Sequence, residues 1–302
     1  MNKLILREVR IKLKGTDMKK ILSILAIVFV AVAMLSCKAF AETQTAAVTK
    51  WDSVSSLKRV NAVGENILLK NKLPNKITFK VSEDETANAY ANINKEIYVQ
   101  KGLLDYVEND DELAAVISHE VGHIVNAHLQ RQSLIAAIIS YFTSKVTDEK
   151  MKTGIDTANQ LATLKMSRND EYESDLTGTD LMVAAGYNPL AMISVFNKIC
   201  ANSFDFLESH PSGDKRTMMV YDYLSYNYPN TVKKGFSTSA YSSFLLYAQP
   251  TVELRKSNPK ALAKFQKKEA KLKTARLKRA QKIRGANPWE TSYTVLKTLS
   301  AY

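Results

Sequence analysis

The run Asp111-Glu-Leu-Ala-Ala-Val-Ile-Ser-His119-Glu120-Val-Gly-His123-Ile-Val-Asn-Ala-His128 carries three of the four histidines in this chain. Leu113, Val116, Ile117, Val121, Ile124, Val125 and Leu129 recur at spacings of three and four, which predicts a helix with Asp110 or Asp111 as its N-cap. On that helix His119 and His123, at i and i+4, emerge on one face within reach of a single metal ion, and Glu120 stands beside that face. Two neutral imidazoles and an adjacent carboxylate fit a hydrolytic zinc site, because the carboxylate can take a proton from water held by the ion. His-Glu-x-x-His also occurs by chance on partly buried helix faces that bind nothing, so the reading needs a further ligand.

Catalytic zinc sites keep three protein ligands and leave a position for water. Ser167-Arg168-Asn169-Asp170-Glu171-Tyr172-Glu173-Ser174-Asp175 supplies a candidate third ligand in Glu171. If this stretch is helical, Asp175 lies one turn further on the same face, placed to accept a hydrogen bond from the outward nitrogen of a ligating histidine. Taken alone, the acidic cluster reads as a solvated helix face. His128 follows His123 by five residues, about 140° away around a continuous helix, so it cannot share the ion unless the helix breaks, and a structural or surface role is expected.

His210 opens His210-Pro211-Ser212-Gly213-Asp214-Lys215-Arg216. The order His-Glu-x-x-His, Ser-Arg-x-x-Glu-x-x-x-Asp, Gly-Tyr-x-Pro (Gly186 to Pro189) and His-Pro-x-x-x-x-Arg resembles the zinc metallopeptidase family that includes HtpX and the CAAX prenyl endopeptidases. Within it the likeness is to the soluble periplasmic branch of the BepA and LoiP type. Asn88-Ala89-Tyr90-Ala91, Ile97-Tyr98-Val99 and Gly102-Leu103-Leu104 resemble the strand and turn before that family's active-site helix, and the match covers about residues 55 to 225.

The resemblance implies a gluzincin-like fold with Zn2+ held by His119, His123 and Glu171, with Glu120 as general base and Asp175 behind a ligand histidine. It puts His210 and Arg216 near the metal, stabilising the oxyanion or capping the zinc at rest; read by itself, His210 is a turn histidine before proline. Ser174 stands where relatives usually carry alanine, one small residue for another. In related zinc peptidases an edge strand pairs with extended substrate above the metal, and Ile97-Tyr98-Val99-Gln100 is the expected counterpart.

The expected fold class is α+β, mainly helical, with a small sheet beside the active-site helix; strand signals cluster at Ile77–Val81 and Ile97–Val99. Gly186-Tyr187-Asn188-Pro189 ends one helix, Leu190 to Asn197 begins another, and Arg216 to Tyr226 lies in a further one. Ser133 to Lys165 looks helical and is expected either to cover the cleft or to pack in the core. Met18-Lys19-Lys20, the apolar run Ile21 to Leu35 and Ala39-Phe40-Ala41 read as a secretory signal over residues 1–41, with Met18 as an alternative start. An uncleaved anchor is the competing reading, although the run is shorter than the ~20 residues that span a bilayer comfortably. Cys37, in an imperfect lipobox, offers a lipid anchor instead of a free periplasmic product. Cys200, beside Phe196 and Ile199, reads as a buried thiol.

A peptidase domain is expected over 42–235 and an extension over 236–302. Residues 255–284 hold thirteen Lys or Arg against the single acid Glu269, a net +12, whereas 42–254 carry −6. Leu262, Phe265 and Leu272 form a partial helical stripe there, so a basic helix is expected, either solvated or drawn to an anionic membrane surface; nucleic acid is disfavoured by the export signal. The function expected is zinc-dependent hydrolysis of peptide bonds in unfolded or misassembled envelope proteins. The rival is a chaperone-like or latent protein on the same fold, with His210 occupying the water position.

Overall fold

The structure, a computed structural model, describes residues 53–73, 76–143, 167–202, 210 and 213–286. In chain order the helices and strands are α1 (Ser53–Lys70), β1 (Thr78–Ser82), β2 (Ala89–Ala91), β3 (Glu96–Gln100), α2 (Lys101–Leu104), α3 (Asp110–Val125) and α4 (His128–Thr143). There follow α5 (Arg168–Ala185), α6 (Ala191–Asn202), α7 (Gly213–Asn227), α8 (Pro229–Lys234), α9 (Ser239–Ser257) and α10 (Pro259–Ala286). This is the expected mainly helical fold with one small sheet, and all of it lies in the compact unit Trp51–Tyr302. The signal segment, Cys37, residues 144–165 of the suspected cover and the Cys200 side chain fall outside the described residues.

Helix α3 carries the His-Glu-x-x-His motif. Asn109, rather than Asp110 or Asp111, is its N-cap and accepts from the Glu112 backbone N–H at 3.0 Å; the two aspartates and Glu112 fill the first turn, where the helix dipole favours negative charge. Every residue from Glu112 to Val125 is buried, so the helix is packed on all sides. Glu112 tolerates this because Ser194 donates to it at 2.8 Å and Lys198 at 2.7 Å, tying α3 to α6.

Helix α5 packs along α3. Ser167 caps its start by accepting from Asp170 N–H, and Gly186, at φ 87°, ends it; Tyr187 N–H returns to Met182 O at 3.0 Å. The two helices approach closely because glycine and serine line their seam. A Cβ on Gly122 would fall 2.6 Å from Ser174 Oγ, and one on Gly178 would fall 2.9 Å from the carbonyl carbon and oxygen of Ser118. Ser174 uses the same contact to donate to His119 O.

The sheet order is β1-β3-β2, with β1 parallel and β2 antiparallel to β3. This corrects the expected substrate strand: Ile97–Gln100 lies in β3, the middle strand, whose backbone is already paired on both sides. The edge strand beside α3 is β2. Phe79, Ile97 and Val99 of the sheet join Val60, Val63 and Ile67 of α1 and the apolar residues of α3 in one core. Helices α9 and α10 also dock on the body, where Arg255 pairs with Asp222 at 2.7 Å and stacks 4.1 Å over the Phe265 ring.

Candidate metal centre

Helix α3 presents the histidine pair, α5 presents Glu171 and Asp175, and His210 comes in just ahead of α7. His119 Nε2 and His123 Nε2 stand 3.1 Å apart. Glu171 lies 3.4 Å from His119 Nε2 through Oε2 and 3.3 Å from His123 Nε2 through Oε1. His210 Nδ1 is 3.3 Å from His119 Nε2 and 3.0 Å from Glu171 Oε2. All four side chains are buried.

This donor set fits a metal ion. A tetrahedral ion with ligands at about 2.1 Å has ligand-to-ligand edges of about 3.4 Å, close to the separations measured here. Two imidazole nitrogens at hydrogen-bond distance can share only one proton, and the fully buried Glu171 Oε1 makes no hydrogen bond among the described residues. A cation between them would satisfy all of these atoms.

Two carboxylates and one guanidinium brace the ring. His119 Nδ1 donates to Asp175 Oδ1 at 2.9 Å. Asp175 accepts two parallel bonds from Arg216, Nε to Oδ2 at 2.8 Å and Nη2 to Oδ1 at 2.7 Å, while Arg216 Nη1 donates to Glu171 Oε2 at 2.8 Å. Arg216 thus grips the two carboxylates from behind and is itself buried, 4.7 Å above the Phe196 ring.

The protonation pattern follows from this framework. Burial would depress the His119 imidazolium, but bonds to Asp175 and Glu171 outweigh it and hold that pKa at about 9. Burial pushes His123 down to about 3. Burial likewise raises the Glu120 carboxyl, which accepts from the Ala91 backbone N–H and lies 3.7 Å from His210 Nε2. For Glu171 burial acts upward, yet the charges of His210 and Arg216 and the adjoining imidazoles of His119 and His123 keep it well below the usual carboxylate range.

Strand β2 borders the site. Gln100 N–H and Asn92 N–H bond across to and from the 88 and 92 positions, so the backbone groups of Ala89 and Ala91 face outward. Ala89 O takes His210 Nε2 at 3.3 Å, and Ala91 N–H goes to Glu120.

His119, Glu120, His123, Glu171, Asp175, His210 and Arg216 are therefore all brought together. His128 is not among the convergent donors, but for a different reason from the one sequence spacing suggests. The helix stops at Val125, Ala127 takes φ 56°, and the turn carries the buried His128 ring back until its Nδ1 is 2.9 Å from His123 Nδ1. Sequence reading missed Phe196, the Gly122 and Gly178 contacts and the partners of His128. Ser174 and Gly178, four apart on one face, were the legible sign of a close helix crossing.

The profile of Peptidase family M48 matches residues 55–222. The mitochondrial metalloendopeptidase OMA1 of Arabidopsis thaliana is 32% identical over 46% of this chain and 30% of its own length. Metalloprotease LoiP of Escherichia coli is 27% identical over 55% of this chain and 68% of its own, and the beta-barrel assembly-enhancing protease of Yersinia pestis 22% over 52% and 36%. The chain thus spans about a third of the first and third of these relatives and about two thirds of the second.

Proposed function

The chain belongs to peptidase family M48, and on that premise we propose that it is a zinc metalloendopeptidase that cuts extended segments of unfolded or misassembled envelope proteins. The observation that carries this reading is the convergence of His119, His123 and Glu171, two imidazoles and a carboxylate, the ligand set of a hydrolytic zinc site. When bound, the ion supplies Lewis acidity that polarises the scissile carbonyl and acidifies attacking water. Glu120 takes the proton of that water and returns it to the leaving amine. Burial favours this role, since a carboxylate whose pKa is raised is a stronger base. Asp175 and Arg216 keep the His119 ring turned so that Nε2 faces the ion and Nδ1 carries the hydrogen.

Substrate backbone adds to the outward edge of β2, where Ala89 O would exchange His210 for a substrate N–H, so selection rests mainly on extended conformation. The export signal of residues 1–41 would deliver the enzyme to the periplasm, free or tethered through Cys37. The exposed lysines of α10 would favour an anionic lipid surface, testable as salt-dependent liposome binding that needs residues 255–284.

Glu120→Gln should keep one bound zinc per chain and lose cleavage of casein; full activity in that variant refutes the assignment. A latent resting state is favoured by one observation, that His210 fills the fourth corner of the donor set and holds Ala89 O, the group a substrate strand would use. If His210 is a latch, His210→Ala raises casein cleavage. If it stabilises the oxyanion, the same change lowers it.

A further inference from the structure

Behind the metal centre lies a second group of polar residues, His128, Asp170 and Glu173, close enough together to invite reading as another cation site. Its carboxylates are already committed. Asp170 Oδ1 accepts from Arg131, and Glu173 Oε1 accepts from Arg279 Nε at 2.5 Å. With both negative charges matched by guanidinium groups, the cluster offers little to a metal. It does offer a complete chain of hydrogen bonds into the site.

The direction of that chain follows from His123. Its Nε2 faces His119 and Glu171, so if that nitrogen meets the ion, the hydrogen must sit on Nδ1. Nδ1 then donates to His128 Nδ1, 2.9 Å away, which leaves the hydrogen of His128 on Nε2. That hydrogen goes to Glu173 Oε2 at 3.2 Å. Each donor meets one acceptor, and the two oxygens of Glu173 serve two different partners. His119 has Asp175 and Arg216 behind it; His123 has His128, Glu173 and Arg279.

The last link belongs to α10, the basic segment whose charge has no role in peptide hydrolysis. The helix packs on α7 and α9, and two of its arginines reach across to α5. Leu272 packs on the core, Arg276 donates to the buried Asp180 Oδ2 at 2.6 Å and lies 5.4 Å over the Tyr223 ring, and Arg279 follows one turn later at Glu173. Tyr223 and Tyr228 hydroxyls complete the shell of Asp180 at 2.9 and 2.6 Å, so the register of α10 on α5 is pinned by a saturated buried carboxylate.

We propose that α10 is a strut of the metal centre: Arg279 holds Glu173, Glu173 fixes the His128 ring, and His128 sets the tautomer and orientation of the ligand His123. This rests on the zinc-site reading above. His128 and Arg279 are positioning residues that touch neither substrate nor ion.

The test is zinc affinity of the full chain, measured by competition with a chromophoric chelator, together with the visible spectrum of the cobalt-substituted protein. His128→Phe, which removes both nitrogens, should weaken zinc binding by about 10–100-fold, the range for partners behind a ligand histidine, and should shift the cobalt bands. His128→Gln, whose amide can both accept and donate, should recover most of that loss. Because His128 is fully buried and its Phe variant can fail to fold, the pair Arg279→Gln and Arg279→Lys carries the test independently; the Arg279 side chain is 42% exposed. Arg279→Gln should weaken binding and Arg279→Lys restore it, with metal-free unfolding midpoints unchanged. Wild-type binding with every variant within about twofold of it overturns the strut alone, well below the change such partners produce. A second zinc per chain that disappears in Glu173→Gln also overturns it. No zinc bound by wild type sinks the metal-site reading and the strut with it.

Discussion

Replacing Gly178 by alanine probes the contact that brings Glu171, the proposed third ligand, to the histidine pair. On an unobstructed helix this change would stabilise the protein by about 1 kcal/mol, because alanine restricts the unfolded chain and glycine does not. Here the new Cβ would meet Ser118 carbonyl carbon and oxygen at 2.9 Å and His119 N at 3.0 Å, all of them backbone atoms that no rotamer change can move. Relief to an ordinary contact of 3.4 Å requires α3 and α5 to separate by about half an ångström, and overpacking of this kind costs about 1–3 kcal/mol. The clash therefore cancels the propensity gain or exceeds it.

The larger effect falls on the metal. Glu171 rides on α5 and the histidines on α3, so the same displacement opens the 3.3 and 3.4 Å gaps between them. Metal–ligand distances tolerate only about 0.2 Å. Zinc affinity should fall by about tenfold or more, measured by chelator competition, while urea unfolding of the metal-free protein shows unchanged or lower stability with the same m-value. Wild-type affinity, or a gain of the full propensity benefit, would refute the claim that this seam sets the position of Glu171.

In the metal-free protein the bonds to Asp175 and Glu171, opposing burial, keep His119 protonated up to about pH 9, so an ion arriving at its Nε2 near neutrality must expel that proton. Calorimetric titration in two buffers of different ionisation enthalpy should report about one proton released per zinc at neutral pH, with affinity rising with pH and levelling above the His119 pKa; no release would contradict the arrangement. Ala127 is exposed and holds φ 56°, a conformation that costs an L-residue about 1–2 kcal/mol, so Ala127→Gly should raise stability by about 0.5–1 kcal/mol net of the added chain entropy. A lower melting temperature in that variant would show that the turn is not strained.

The clustering of donors was legible because it is written in short-range spacings: His119 to His123 and Glu171 to Asp175 are each one helical turn, and a turn is a local property. What escaped depends on which distant segments meet. Period-two alternation marks β3 as a strand but says nothing of its neighbours, and the sheet order that puts β2 at the edge arises from a crossover. Asn126 is a weak stop signal, but the left-handed residue is Ala127, which no propensity picks out, and so the return of His128 toward His123 was not legible. In α10, eleven basic residues surround a thin apolar stripe; Arg276 is singled out by Asp180, ninety-six residues away, and Arg279 by Glu173. A solvated helix and a docked one share that composition.

The family profile ends at residue 222, one residue before Tyr223. A fragment trimmed at that natural-looking limit would strip Asp180 of Tyr223, Tyr228 and Arg276 at once and uncover a carboxylate that the intact chain buries. Hydrogen bonds to a charged group contribute about 1.5–3 kcal/mol each, so losing three removes a large part of what an average domain has in reserve. The stretch that the family match covers is thus shorter than the unit that holds Asp180, and whoever shortens this protein should cut beyond Arg279.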